Sequence, residues 1–247
     1  MREPQLYLFK AGCTFPEVAR SLGDFDDWLI AGLGPFAGRV RVLEVWRDEI
    51  ELPEPAACSG VLMTGAHGMV TDRLPWMRRM LDWLPRMVAA GTPYLGICFG
   101  HQILAEALGG RVDFHPKGRE IGTVEIRLHA ATAVDPLFQC LPRRFPAHAV
   151  HAQSALTLPP GATLLAGNGF EPHHAFRVGK RAWGLQFHPE FNRQRMAAYV
   201  AQLAPKLHAA GQDIAAISAG LADTPIAATL LPRFARLVQD ARIPPCI

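Results

Sequence analysis

A cysteine held between two glycines is the feature that most constrains what this chain can fold into. Gly96 and Gly100 flank Cys98, the apolar run 93–95 precedes them, and an apolar helical pattern starts at residue 103. This order predicts a buried strand, a sharp turn and a helix, because so tight a turn leaves no room for flanking side chains. The helix start also brings free amides and a positive dipole end near the sulfur, which favours the thiolate. We therefore predict that Cys98 points out of the fold as a nucleophile, although an isolated cysteine beside a strand is usually a core residue.

A second predicted strand ends in a histidine and a glutamate. The apolar run 182–187 stops at Pro189, which cannot continue a strand ladder, so His188 and Glu190 lie at the strand tip on the same side. An imidazole oriented by a carboxylate is the base half of a catalytic triad. Because open α/β sheets build their sites at the carboxyl ends of strands, we expect both residues to meet Cys98 there.

A third strand tip provides candidate backbone donors. The buried run 61–64 leads into the turn 65–68, whose glycines allow N–H groups to face a ligand. The amides of Gly65 and Ala66, with the N–H of Phe99 just after the nucleophile, could stabilise the oxyanion of a tetrahedral intermediate. The alternative is an ordinary connection between a strand and a helix.

Strand and helix patterns alternate along the chain. The runs 5–9 and 40–45 are typical of strands, and apolar residues recur at helical spacing over 77–88. Between residues 109 and 179 the pattern changes to short β-type runs separated by proline and glycine. We expect an α/β fold: a doubly wound, mostly parallel sheet flanked by helices, flavodoxin-like, with a small antiparallel β excursion.

Composition excludes several classes of function. The chain has 247 residues, 49% hydrophobic and 19% charged, which suits one large α/β domain with a full core. Its net charge of +3 is small and its basic residues are scattered, so neither nucleic acid nor a membrane is an expected partner. The opening residues do not resemble a signal peptide, and no stretch approaches 18 apolar residues, so we expect a cytoplasmic enzyme.

The cysteines and histidines give no sign of a disulfide framework or a metal site. Five widely spaced cysteines without a Cys-x-x-Cys motif are interpreted as free thiols, and the ten histidines form no ligand motif. We expect neither a metal nor another cofactor. His67 and His151 lie in loops predicted near the cysteine, where they line the pocket or else occupy the surface.

Three segments together resemble the class I, triad-type, glutamine amidotransferase family. They are Thr64-Gly65, the stretch 93–102 around the cysteine, and the stretch 184–190 around the histidine, in this order and at this spacing. Within that family the chain is most similar to stand-alone, GMP-synthase-like glutamine amidotransferases, which have plant γ-glutamyl peptidases as relatives.

The resemblance implies a role for each candidate residue. Cys98 would attack the side-chain amide of glutamine to form a γ-glutamyl thioester, His188 would shuttle the proton, Glu190 would orient His188, and ammonia would leave. Gln102 matches a position that helps to hold the substrate in the family. One departure is that His151-Ala152-Gln153 stands where GMP synthases usually have His-x-Asp.

Three functions remain open from the sequence. Since no synthetase domain follows the amidotransferase segments, the first is an amidotransferase subunit that gives ammonia to a separate synthetase. The second is a γ-glutamyl peptidase, which would use the same triad but a more open pocket. The third is a catalytically idle regulatory or binding protein, against which the intact triad argues.

The resemblance also suggests two parts of the chain. Residues 1–205 are predicted to form the class I glutamine amidotransferase domain. Residues 206–247 are predicted to be a C-terminal helical extension, since Ile226, Leu230, Phe234 and Leu237 make an amphipathic pattern. This helix would pack on its own domain or on a partner subunit.

Overall fold

The computed structural model describes residues 5–239 of the chain, which contain eleven strands and eight α-helices. The strands are β1 (Gln5–Lys10), β2 (Val40–Glu44), β3 (Cys58–Met63), β4 (Tyr94–Ile97), β5 (Arg111–Phe114), β6 (Glu120–Leu128), β7 (Arg144–His151), β8 (Gln153–Thr157), β9 (Thr163–Gly167), β10 (Ala175–Val178) and β11 (Ala182–Leu185). The helices are α1 (Pro16–Leu22), α2 (Phe25–Gly32), α3 (Pro75–Ala89), α4 (Phe99–Ala107), α5 (Arg193–Ala209), α6 (Ile214–Ala219), α7 (Pro225–Ala228) and α8 (Leu230–Gln239). None of these helices is long and apolar enough to cross a membrane.

Nine strands form one sheet with a parallel half and an antiparallel half. The parallel half has the order β2-β1-β3-β4-β11, which is the flavodoxin-like order. The antiparallel half continues as β10-β9-β6-β7, because β11 pairs with β10 in the antiparallel direction. Strands β5 and β8 pair separately. The predicted α/β class, with its parallel sheet, flanking helices and antiparallel excursion, is confirmed.

Helices cover both faces of the parallel half, because alternate residues of a strand point to opposite faces. Leu6 and Leu8 of β1 pack in a cluster with residues of α2 and α8. Tyr7 and Phe9 of the same strand pack in a second cluster with residues of α3 and α4. The central strands β4 and β11 are buried along their whole length, as expected for strands covered on both sides. Their carboxyl ends, which carry Cys98 and His188, therefore lie side by side at one edge.

The amphipathic C-terminal pattern forms α7 and α8, and α8 packs on the sheet of its own chain. Phe234 is fully buried. A Cβ added at Gly32 would lie 2.2 Å from Leu231, and one added at Gly60 would lie 2.6 Å from Val238, so α8 packs closely against both glycines. Arg181 donates a hydrogen bond to the carbonyl of Leu237. The proposed division of the chain at residue 205 stays a prediction.

The expectation that all five cysteines are free thiols is wrong. Cys13, Cys58 and Cys98 are free, whereas Cys140 is disulfide-bonded. Cys246 lies outside the described residues. A disulfide depends on the distance between two thiols in the folded chain, which sequence spacing does not reveal.

Candidate active site

Cys98 occupies a strained turn between β4 and α4. Its φ of 49° and ψ of −97° are rarely adopted by a residue with a side chain. The predicted need for glycine beside it has a clear origin: a Cβ at Gly96 would lie 2.4 Å from the backbone of Gly100. The amide of Cys98 donates to the carbonyl of Leu185 at 2.7 Å, which ties the turn to β11. Cys98 is only 8% exposed and lines a pocket, so it does not project freely into solvent.

His188 and Glu190 form a buried pair beside that turn. Nδ1 of His188 lies 2.7 Å from Oε1 of Glu190, and the two residues are 2% and 4% exposed. Nε2 of His188 has no hydrogen-bond partner among the described residues. A Cβ added at Gly65 would lie 3.3 Å from Cε1 of His188 and 3.6 Å from Cβ of Cys98. His188, Cys98 and Gly65, the first residue of the glycine loop, therefore lie close together.

The charges of this cluster favour a protonated imidazole. Burial alone lowers the pKa of His188, but the charges of Glu190 and an ionised Cys98 outweigh it and raise the pKa to about 10. A thiolate and an imidazolium side by side suit acyl transfer, since one attacks and the other supplies a proton to the leaving group.

The pocket in front of Cys98 has a volume of about 150 Å³. The predicted residues that line it are Gly65, Ala66, His67, Cys98, Gln102, His151 and His188. Glu190 lies behind His188. The ring of Phe99 packs on Trp76 at 5.3 Å instead, so only its backbone amide, next to Cys98, is placed for a role in the pocket.

The sequence analysis did not single out several other residues that line the pocket. Gln153, Tyr199 and the cations Arg119 and Lys206 are among them. They come from distant parts of the chain and belong to no motif. Only Gln153 could have been suspected from the sequence, because it stands two residues after His151, in the segment where GMP synthases usually have His-x-Asp.

Gln102 and His151 are braced by the protein itself. The amide nitrogen of Gln102 donates to Gln153 O at 2.7 Å and to Gln186 Oε1 at 3.0 Å. The His151 ring lies 3.0 Å from Gln153 O and 3.0 Å from Oε2 of Glu120. Burial raises the pKa of Glu120, but hydrogen bonds to His151 and His174 lower it well below its usual range. These contacts hold the side chains of Gln102 and His151 in place before any ligand binds.

The loop 65–68 is also held by its own chain. Nε2 of His67 lies 3.1 Å from the hydroxyl of Tyr199 on α5, and the His67 and Phe15 ring centroids are 4.3 Å apart. The Tyr199 hydroxyl is in turn 2.7 Å from Oγ1 of Thr14. Burial lowers the pKa of His67, which favours its neutral form. These contacts hold His67, and with it the loop 65–68, against α5.

The pKa of His188 leads to a prediction about pH. If the imidazolium protonates the leaving group, kcat/KM for glutamine should fall as pH rises through about 10. Glu190→Gln removes the largest cause that raises this pKa, so the fall should shift to lower pH, by about one unit or more. Profiles of kcat/KM from neutral pH to about pH 11 test this, with the exposed Glu125→Gln as control. An alkaline limb at the same pH in Glu190→Gln would contradict the prediction.

Known proteins of similar sequence and fold indicate the family of this chain. The family model for class I glutamine amidotransferases matches residues 25–204. A GMP synthase (glutamine-hydrolysing) of Aeropyrum pernix is 34% identical over 161 residues, which is 62% of this chain but 30% of that protein. A glutamine amidotransferase structure from Methylobacillus flagellatus is 25% identical with a TM-score of 0.70, and the match covers 96% of this chain and 93% of that one. A glutamine amidotransferase structure from Thermotoga maritima, 19% identical, has the same fold with a TM-score of 0.71 over 97% of this chain and 100% of that one. The chain therefore belongs to the class I glutamine amidotransferase family.

Proposed function

We propose that this protein hydrolyses the side-chain amide of glutamine through a γ-glutamyl thioester on Cys98. The observation that carries the proposal is the strained Cys98 in one pocket with His188, whose Nδ1 is paired with Glu190 at 2.7 Å. Family membership supports an amide hydrolase in general, and the residue roles are inferred from this arrangement.

The mechanism begins with attack of the Cys98 thiolate on the amide carbon. The carbonyl oxygen becomes an oxyanion, which the N–H groups of Gly65, Ala66 and Phe99 stabilise. The Phe99 amide suits this role, because it is the first of α4 and has no partner within the helix. His188 donates its Nε2 proton to the nitrogen, the C–N bond breaks, and ammonia leaves.

A water molecule completes the reaction. It attacks the thioester carbon while His188 removes one of its protons. The new C–O bond forms, the C–S bond breaks, and glutamate is released with Cys98 again a thiolate. Glu190 keeps the Nδ1 proton of His188 in place through both steps.

Selective alkylation tests the nucleophile. A brief treatment with a glutamine-like electrophile should label Cys98 first. Mass spectrometry of the peptides then identifies the labelled cysteine. Burial raises the pKa of Cys13, and it raises the pKa of Cys58 to about 11, so both should react slowly. Cys58→Ser should label like the wild type and Cys98→Ser should not. Primary labelling at another cysteine would overturn the assignment.

An ammonia acceptor is the proposed partner. The similar A. pernix protein is a glutamine-hydrolysing GMP synthase, and this chain matches only 30% of its length, so a separate synthetase subunit is the proposed recipient of ammonia. In that case the glutaminase activity of the isolated chain should be weak and should rise when a co-purifying synthetase is added. A rate that is high alone and unchanged by such a protein would contradict the partnership.

A γ-glutamyl peptidase is the second candidate, and one observation favours it. His67 and Tyr199 already hold the loop 65–68, which supports a site that works without a partner. A self-sufficient peptidase should cleave γ-glutamyl dipeptides alone at ordinary enzyme rates, on the order of 1–10³ per second. Robust dipeptide cleavage with negligible glutaminase activity would replace the first candidate by this one.

A further inference from the structure

The pocket in front of Cys98 contains cations but no carboxylate. Arg119 and Lys206 both line it, and no aspartate or glutamate is among its described lining residues. Two carboxylates behind that lining are already paired, Glu190 with His188 and Glu120 with His151. The pocket surface therefore presents uncompensated positive charge to a ligand.

Arg119 is the cation that most clearly lacks a partner. Six described arginine side chains are partly buried, and five of them donate hydrogen bonds to carbonyl or carboxylate oxygens: Arg79, Arg177, Arg181, Arg195 and Arg233. The Arg119 guanidinium makes no hydrogen bond or ion pair within residues 5–239. Burial lowers its pKa, the charge of Cys98 partly offsets this, and Arg119 lines the same pocket as Cys98. A half-buried guanidinium without a partner is costly, so a ligand is the natural partner.

Lys206 stands at the outer part of the same pocket. It lies near the end of α5, is exposed, and forms no ion pair within the described residues. Its charge contributes to lowering the pKa of His67, which places it close to the loop 65–68. Both cations line the pocket of Cys98, and because Lys206 is exposed whereas Arg119 is half-buried, Lys206 is the one nearer to solvent.

We propose that the pocket takes γ-glutamyl amino acids, in which Arg119 binds the α-carboxylate of the γ-glutamyl group and Lys206 binds the carboxylate of the leaving amino acid. A planar guanidinium suits a carboxylate held in fixed orientation, and an ammonium on a flexible stem suits one whose position varies. Glutamine carries one carboxylate, whereas a γ-glutamyl amino acid carries two, so the second cation acts only on the larger donor. This inference rests on the proposed thioester chemistry and names its substrate class.

The reaction on such a donor follows the same steps. The Cys98 thiolate forms the C–S bond to the γ-carbonyl carbon, and the C–N bond to the amino acid breaks. His188 supplies the proton, so the leaving group departs as a free amino acid. Water then hydrolyses the thioester and releases glutamate, and no other co-reactant is required.

The first experiment isolates the leaving-group carboxylate. We compare kcat/KM for γ-glutamyl-alanine and for γ-glutamyl-alaninamide, which differ only in that charge. The wild type should prefer the acid roughly 3- to 10-fold, and Lys206→Gln should bring the ratio near one. The exposed Lys180→Gln, outside the pocket, should keep the wild-type ratio.

The second experiment isolates the α-carboxylate. The donor 4-aminobutanoyl-alanine lacks that group, and the wild type should discriminate against it on the order of 10²-fold relative to γ-glutamyl-alanine. Arg119→Gln should abolish most of this discrimination, and Arg119→Lys should restore part of it. A merely structural role of Arg119 would slow both donors equally and leave the ratio unchanged.

The outcomes separate this inference from the proposed function. Equal turnover of the acid and amide donors by the wild type, or an unchanged ratio in Lys206→Gln, would overturn the inference and leave the Cys98 mechanism intact. Failure of the wild type to hydrolyse glutamine and every γ-glutamyl donor would overturn the proposed function itself.

Discussion

Replacing His188 with alanine is expected to lower kcat for glutamine by on the order of 10⁴- to 10⁶-fold. In the proposed mechanism the variant loses the group that protonates the leaving nitrogen and activates water, and Nε2 of His188 has no hydrogen-bond partner among the described residues. The loss of kcat in Glu190→Gln should be roughly 10- to 100-fold smaller, because in this mechanism Glu190 orients the His188 ring and stabilises its positive charge but exchanges no proton with the substrate. Steady-state and single-turnover kinetics of ammonia release measure both losses.

A surface histidine provides the control for this comparison. His208→Ala, on the exposed side of α5, should retain wild-type turnover. Full activity in His188→Ala would mean that another base acts. His151 would then be the residue to test, since it lines the pocket. His101 is less suited, because it is fully buried outside the pocket lining and burial lowers its pKa to about 3.

The features that the sequence predicted are those encoded in a few neighbouring residues. The elbow around Cys98 and the tip around His188 each combine an apolar strand with the residue that ends it, so their place at the sheet edge followed from local pattern. The parallel order of the sheet followed from the alternation of strands and helices.

The features that it did not predict depend on the folded chain. Arg119 precedes β6 and Lys206 lies on α5, and only the tertiary fold brings both to the pocket of Cys98. Tyr199 lies on α5, and only the tertiary fold brings its hydroxyl to His67. The disulfide at Cys140 was missed for the same reason. Sequence analysis thus located Cys98 and His188, but not the cations that line their pocket.

Gly96→Ala is expected to damage both stability and activity. The new Cβ would lie 2.4 Å from the carbonyl carbon and oxygen of Gly100, which are backbone atoms at the start of α4 and cannot rotate away. Overpacking of this kind costs about 1–3 kcal/mol or more, and about 3 kcal/mol lowers Tm by roughly 6–12 °C in a domain of this size. Thermal unfolding followed by circular dichroism measures that loss.

The same substitution should reduce turnover beyond its effect on stability. Relief of the clash requires β4 and α4 to separate, which moves Cys98 and the Phe99 amide relative to His188 on the neighbouring strand tip. A displacement near 1 Å costs on the order of 10²-fold in rate. The matched control is Gly169→Ala, since a Cβ there meets no atom within 4 Å. Wild-type Tm and kcat in Gly96→Ala would show that close contact between strand and helix does not position the nucleophile; a fall in kcat measured well below Tm would show that it does.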